Sequence, residues 1–257
     1  MRYFGSQIRK IEQIENALLN SNPKSQFFLN EGFCDPFCGS GIIAQHFSKK
    51  TKGLILAGDY ANFAFYLTSY TTSLNGEKLN KYVELLNERV NEVKALNKSV
   101  TEFEHNFIKN YTVTIPYFNK LNARRLVKYR EYIEEMRFSG ELNELDYNAL
   151  LGALLESILR SANIRLLFDG VFKGGKPRPL LVLPNFPTRK GNKVNVFKQD
   201  YKETIEQLNG GVLYLNPPAL KKDYVHYYHL LDTVISMRTG DIVDKSGRFL
   251  GFKSENK

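Results

Sequence analysis

The chain has 257 residues, 42% of them hydrophobic and 25% charged, with 36 Lys+Arg against 27 Asp+Glu and a net charge of +9. That length fits one large domain or one domain carrying an inserted subdomain, and the hydrophobic share excludes wholesale disorder. No run of ~18 apolar residues occurs, so no transmembrane helix is expected, and two cysteines exclude a disulfide scaffold.

The basic excess favours a polyanionic partner, although it speaks first to solubility. The opening MRYFGSQIRK lacks the basic-then-apolar layout of a signal peptide. Cys34 and Cys38 form a lone CxxxC inside a glycine-rich turn. Without a second pair this is a poor zinc site, and small buried thiols are the ordinary reading. A reduced, cytoplasmic protein without a metal centre is expected.

In chain order, Ile8, Ile11, Ile14, Ala17 and Leu18 recur at helical spacing, which predicts an amphipathic helix over 6–20, ended by Asn22-Pro23. The stretch from Phe27 to Phe33 reads as a strand entering the turn Asp35-Pro36-Phe37-Cys38-Gly39-Ser40-Gly41, with a helix from Ile42 to about Lys49. Leu54–Ala57 reads as a buried strand closed by Gly58-Asp59, and 60–74 as a further helix. This alternation is that of a doubly wound parallel sheet. Residues 77–163 turn to charged helical patterns and read as a mostly helical insertion. Beyond 164 the strand pattern returns: Pro177, Pro179, Pro184 and Pro187 mark hairpin and loop, while 194–197 and 211–215 are strand candidates. The expected division is 1–76, 77–163 and 164–257.

Three features carry chemistry. Gly39 and Gly41 permit backbone conformations closed to other residues and let a ligand approach the main chain. No Lys-Ser/Thr follows Gly41, so the turn is not a phosphate P-loop, and a tight connection without a ligand is an equal reading. Asp59, at the next strand end and 20 residues beyond Gly39, suits ribose hydroxyls or an N-cap for the helix that follows. In Asn216-Pro217-Pro218 the two prolines fix the backbone and remove two N–H groups. An amide oxygen and a carbonyl oxygen converging there suit an exocyclic amine; a rigid turn is the alternative. His226 and His229 lack a third ligand in reach by sequence, and Glu156 in an apolar helix either pairs with Arg160 or faces the site.

Together these features resemble the Dam-like S-adenosylmethionine-dependent DNA adenine-N6 methyltransferases. Arg2-Tyr3-Phe4-Gly5-Ser6 looks like the family's N-terminal cofactor motif, and the 35–41 turn like its glycine-rich motif. Gly58-Asp59-Tyr60 resembles the acidic ribose motif, and Asp200 falls at an adenine-ring contact. Asn216-Pro217-Pro218 matches three of four positions of the catalytic (D/N/S)PP(Y/F/W) motif, and 228–231 fits the segment after it. Tyr117-Phe118, Asn122 to Arg125, Glu156 and Ala162-Asn163 are similar to a helical region of one bacterial branch.

The resemblance implies a Rossmann-like methyltransferase sheet with a helical insertion, and S-adenosylmethionine as cofactor. Cofactor contacts fall on Tyr3, Gly5, Ser6, Asp35, Phe37, Gly39, Gly41, Asp59, Tyr60 and Asp200, and catalysis on Asn216, Pro217 and Pro218. The implied partner is double-stranded DNA from which the target adenine is flipped, since a base inside a duplex is out of reach. Basic runs nominate Lys120, Arg124, Arg125, Lys128, Arg189 and Lys190 for phosphate contacts. Two departures stand out. Ala219 replaces the motif's aromatic, whose stacking would supply roughly 1–3 kcal/mol. The C-terminal strands of the family fold are also expected to be missing, which leaves truncation, completion by a second polypeptide, or a catalytically silent DNA- or partner-binding subunit as readings beside that of an active enzyme.

Overall fold

The structure, a computed structural model, describes residues 7–94, 101–164, 168, 170–171, 179–218 and 224–239, with the backbone alone for 224–226. A 3₁₀ turn, Ile8–Lys10, leads into α1 (Ile11–Ser21), which lies on the surface with no buried residue. The next segment differs from expectation: Ser25–Glu31 is a helix, α2, and the strand β1 is only Gly32–Asp35. Ser25 and Leu29 face inward at i, i+4, while Phe27 stays exposed. Gly32 opens the strand because a side chain there would press on the backbone oxygens of Gly210 and Leu54.

Then follow α3 (Ile42–Phe47), β2 (Leu54–Asp59) and α4 (Asn62–Thr72). The charged middle of the chain forms α5 (Gly76–Asn91), α6 (Glu102–Ile108) running into a π-helical stretch (Lys109–Thr114), α7 (Lys120–Phe138) and α8 (Glu144–Ser161). Three of these helices start on side-chain caps: Thr101 Oγ1 accepts from Glu104 N, Asn119 Oδ1 from Asn122 N and Asn143 Oδ1 from Asp146 N. The last part holds β3 (Asn195–Lys198), α9 (Tyr201–Glu206), β4 (Val212–Leu213) and α10 (Tyr224–Ser236).

Among the described residues four strands form one parallel sheet in the order β3-β2-β1-β4. Asp35 pairs with Ala57, Asp59 with Lys198 and Phe33 with Val212, so the strands end near one level. From β1 the chain steps one way to β2 and β3, then returns past β1 to place β4 on its other side. The order thus reverses between β1 and β4, and in open α/β sheets ligands bind outside the carboxyl ends at such a point.

Two clusters form the core. A small one, with Leu29, Phe33, Phe47 and Ile55, lies against the sheet. A larger one joins Phe63 and Leu67 of α4 to Leu126 of α7, Leu154 of α8 and Leu231 of α10, so the helical stretch shares its core with the helix after β2. α4 and α8 approach closely because Gly152 carries no Cβ; one would overlap the Tyr66 carbonyl oxygen.

Among the described residues, 179–194 is an extended strap without the expected hairpin. Asn122 donates to Pro179 O and accepts from Leu181 N, at 3.0 and 2.9 Å. Asn87 does the same for Leu183, at 3.2 and 3.0 Å, and Asn80 for Phe186, at 3.0 and 2.7 Å. Three carboxamides on α5 and α7 thus meet the main-chain needs of a segment that has no neighbouring strand.

Candidate active site

The carboxyl edge of the sheet gathers most of the nominated residues. β1 ends in Asp35, which is 2% exposed. The chain then turns through Gly39 and Gly41, at φ +52° and +73°. The left-handed backbone at Gly41 lets the chain reverse directly into α3, and a Cβ there would sit 2.8–2.9 Å from Thr68 atoms. Thr68 of α4 closes the turn from below: its hydroxyl lies 3.3 Å from Cys38 Sγ and donates to Gly39 O at 3.3 Å. Sequence separation hid Thr68, for no local pattern links it to the turn.

Asp59 joins the two loops. Its Oδ2 accepts from Gly39 N at 3.0 Å and its Oδ1 from Ala61 N at 3.0 Å. The N-cap of α4 is Ala61, so Asp59 ties the glycine turn to the β2 turn instead of capping the helix. Tyr60 beside it projects into solvent, 78% exposed.

The electrostatics here are those of a buried acidic pair, Asp35 and Asp59. Burial pushes the Asp35 carboxyl up to about 7, against one N–H from Phe37 and with some help from the charge of Asp59. Burial also raises Asp59, although backbone N–H groups from Ala61 and Gly39 oppose it. Among the described residues no cation pairs with either carboxyl. A ligand that brings positive charge and hydroxyl donors matches this set. Phe37 is half-buried and stacked on Tyr201 at 5.3 Å, beside Asp200, whose Oδ1 caps α9 through Lys202 N. An aromatic directly after Asp200 was visible in the sequence, but its partner was not.

Asn216-Pro217-Pro218 follows β4. Tyr214 N donates to Cys34 O at 2.9 Å, which carries β4's path alongside β1 to the level of Asp35. Asn216 is half-buried and the prolines are exposed. Among the described residues nothing donates to Asn216 Oδ1 or Pro217 O. The glycine turn and this pair of acceptors therefore flank the point where the strand order reverses.

Tyr3, Gly5, Ser6 and Ala219 lie outside the described residues. Cys34 and Cys38 are buried and free, and burial pushes the Cys34 thiol up to about 12, so neither is a thiolate. His229 is buried among Tyr111, Tyr117 and Phe168, and among the described residues no group of three or more His, Cys, Asp or Glu could hold a metal ion.

The basic residues nominated for phosphate divide sharply. Lys120 is exposed at the start of α7. Arg124 and Arg125 are each 2% exposed and turned inward, which corrects the expectation that they meet phosphate. Arg124 pairs with the fully buried Glu104 at 2.9 Å. Arg125 donates to Leu181 O, Val90 O and Asn91 Oδ1. Lys128 is engaged by Glu131 at 2.6 Å. Arg189 and Lys190 precede β3 where Asn192 is bonded to Ser48 O and Thr51 O, at the amino edge of the sheet, away from Asp35 and Asp59 at its carboxyl edge. Glu156 pairs with Arg160 at 2.7 Å.

Comparison with known proteins yields a family match. Residues 3–239 match the family described as D12 class N6 adenine-specific DNA methyltransferase. The modification methylase LlaI of Lactococcus lactis subsp. lactis is 24% identical over 277 residues, covering 100% of this chain and 42% of that protein. The type II methyltransferase M.FokI of Planomicrobium okeanokoites is 26% identical, covering 96% and 38%. M.NlaIII of Neisseria lactamica is 26% identical, covering 91% and 69%. The chain thus spans about two fifths of the length of the first two. No solved structure matches it.

Proposed function

Because the chain belongs to the D12 class of N6 adenine-specific DNA methyltransferases, we propose that it methylates adenine N6 in double-stranded DNA, as the modification activity of a restriction–modification system. The reading is carried by one observation: the glycine turn after β1 and the Asn216-Pro217 acceptors after β4 flank the reversal of strand order. S-adenosylmethionine, when bound, supplies an electrophilic methyl group. Asp35 faces its positive charge, Asp59 its ribose and Phe37 its adenine, while Asp200 contacts the same ring; Tyr3, Gly5, Ser6, Gly39, Gly41 and Tyr60 complete its contacts.

The target nitrogen is a poor nucleophile because its lone pair is delocalised into the purine. Asn216 Oδ1 and Pro217 O would accept its two N–H bonds and localise the lone pair on the nitrogen, withdrawing it from the ring's π system. Pro218 keeps both acceptors rigid by restricting the backbone before it. The nitrogen's proton becomes acidic once the methyl is in place, so no side chain needs a shifted pKa to remove it. Positioning and fixed dipoles supply the catalysis.

Lys120 is the exposed member of the basic set on the helical stretch and is assigned to phosphate. The names of the relatives are those of methylases, so the silent-subunit alternative is not favoured. The test is tritium transfer from S-adenosylmethionine to mixed-sequence duplex DNA, with nucleoside analysis of the product. Label in N6-methyladenine is expected. Cofactor binding by calorimetry without any transfer to DNA would overturn the assignment.

A further inference from the structure

We propose that the amino edge of the sheet is a second face for duplex DNA, separate from the site at the carboxyl edge, which holds a further segment of the polymer by its phosphates. The choice of DNA as occupant rests on the function assigned above; the build of the face does not.

Two short segments form it. Ser48 to Gly53 reads SKKTKG and leads into β2, and Thr188 to Lys193 reads TRKGNK and leads into β3. These twelve residues carry six cations and no Asp or Glu. β2 and β3 are parallel neighbours, so both segments arrive at the same edge. They are also bonded to each other. Asn192 N donates to Ser48 O at 2.8 Å, and Asn192 Nδ2 to Thr51 O at 2.6 Å. Gly191, at φ +134°, permits the approach, since a Cβ there would lie 2.6 Å from Ser48 Oγ. Asn192 thus spans the turn that bears Lys49, Lys50 and Lys52 and fixes it beside Arg189, Lys190 and Lys193.

The charge on this surface is not answered from within. Lys50 pairs with Glu15 at 2.7 Å. Among the described residues the other five cations form no ion pair, and Lys49, Lys52, Lys190 and Lys193 are exposed. Arg189 is half-buried near Tyr70, its Nε meets no acceptor among the described residues, and burial holds it below the usual arginine range. Five unneutralised charges stand here against a net +9 for the whole chain. Such a concentration raises the local potential and suits a polyanion with regularly spaced charges.

This face and the catalytic one do not share a short duplex. β2 has six residues and spans ~20 Å at about 3.3 Å per residue. The persistence length of duplex DNA is about 150 base pairs, so a short duplex lying on the carboxyl edge does not fold round to Lys52. Long DNA reaches the amino edge with a distant segment. Held there, the chain stays on one molecule between encounters with its targets, which raises their effective concentration.

The test uses the full chain and a duplex of about 20 base pairs made of G and C alone, which has no adenine to extrude. Sedimentation at saturating duplex is expected to show two duplexes on each parent chain and one on Lys49→Gln/Lys52→Gln/Lys193→Gln, at unchanged melting temperature. The slope of log affinity against log salt should fall by about 3 in the triple variant, at ~0.9 per phosphate contact. On DNA several kilobases long its kcat/KM for methyl transfer should fall about three- to ten-fold. On fragments of about 30 base pairs from the same DNA, kcat and KM should stay within two-fold. One duplex on the parent chain, an unaltered stoichiometry in the triple variant, or an equal loss on long and short DNA overturns the proposal. So does an RNA duplex of equal length that displaces the DNA at ten-fold lower concentration, since the face is then one for RNA. Should the parent chain transfer no methyl group to any DNA, the assigned function falls, and the stoichiometry of the adenine-free duplex decides this proposal by itself.

Discussion

Asn216 and Asp35 carry the sharpest consequences of the site. On the proposed mechanism, Asn216→Ala removes an acceptor for the target amine and leaves the residues of the β1 turn unchanged. Methyl transfer should fall by roughly 100- to 1000-fold, the scale seen when one polar group that stabilises a transition state is deleted, with cofactor binding retained by calorimetry. Asp35 predicts a pH dependence. Its carboxyl is pushed up from 3.8 to about 7 by burial. Between about pH 4 and pH 7 the folded chain therefore holds a proton that the unfolded chain has lost. Folding takes up a proton in that window, and the contribution of Asp35 to stability falls as pH rises through it. A positively charged cofactor acts in the opposite sense, since it favours the carboxylate and its binding releases the proton. Affinity for S-adenosylmethionine should thus rise with pH up to about 7, by as much as ~10-fold per unit, and level off above. Asp35→Asn should flatten the profile; a calorimetric titration series from pH 5.5 to 8 measures both.

At the scale of elements, the sequence made the β2 segment and the glycine turn legible because their signals are local: a short apolar run, a glycine that must adopt positive φ, an acid at the strand end. The segment 25–31 was misread because Phe27, Phe28 and Leu29 form an apolar run, and such a run does not distinguish strand from helix over so few residues. Only burial resolves it, with Leu29 at 1% and Phe27 at 59% exposed. The α4–α8 contact was equally hidden, since nothing around Gly152 marks it as a crossing point. Gly152→Ala would drive a methyl group into the Tyr66 carbonyl, a backbone atom that cannot rotate away. Overpacking of this kind costs about 1–3 kcal/mol, and the helix-propensity gain of alanine, about 1 kcal/mol, offsets only part of it. A lower midpoint in urea at unchanged m-value is expected.

Across the whole molecule, charge was the least legible property. A run such as Arg124-Arg125-Leu126-Val127-Lys128 reads as a basic face, yet its arginines point into the core. Their partners, Glu104 and the strap carbonyl of Leu181, come from segments 20 and 56 residues away, and no local pattern announces them. Two variants separate the roles. Arg124→Met removes the closer partner of the buried Glu104 and leaves Lys128 at 3.8 Å, and should cost about 3 kcal/mol in unfolding free energy. Lys120→Ala should leave stability unchanged within ~0.5 kcal/mol and lower the slope of log affinity against log salt on duplex DNA by about 1.

The carboxamides of Asn80, Asn87 and Asn122 hold the strap by its peptide groups, while its Leu181, Leu183 and Phe186 are buried in the larger core. Leu180, Val182 and Asn185 point away from those contacts and are exposed. The anchoring therefore leaves the identities of these three exposed positions unconstrained, so substitutions there should not alter the strap's course into β3.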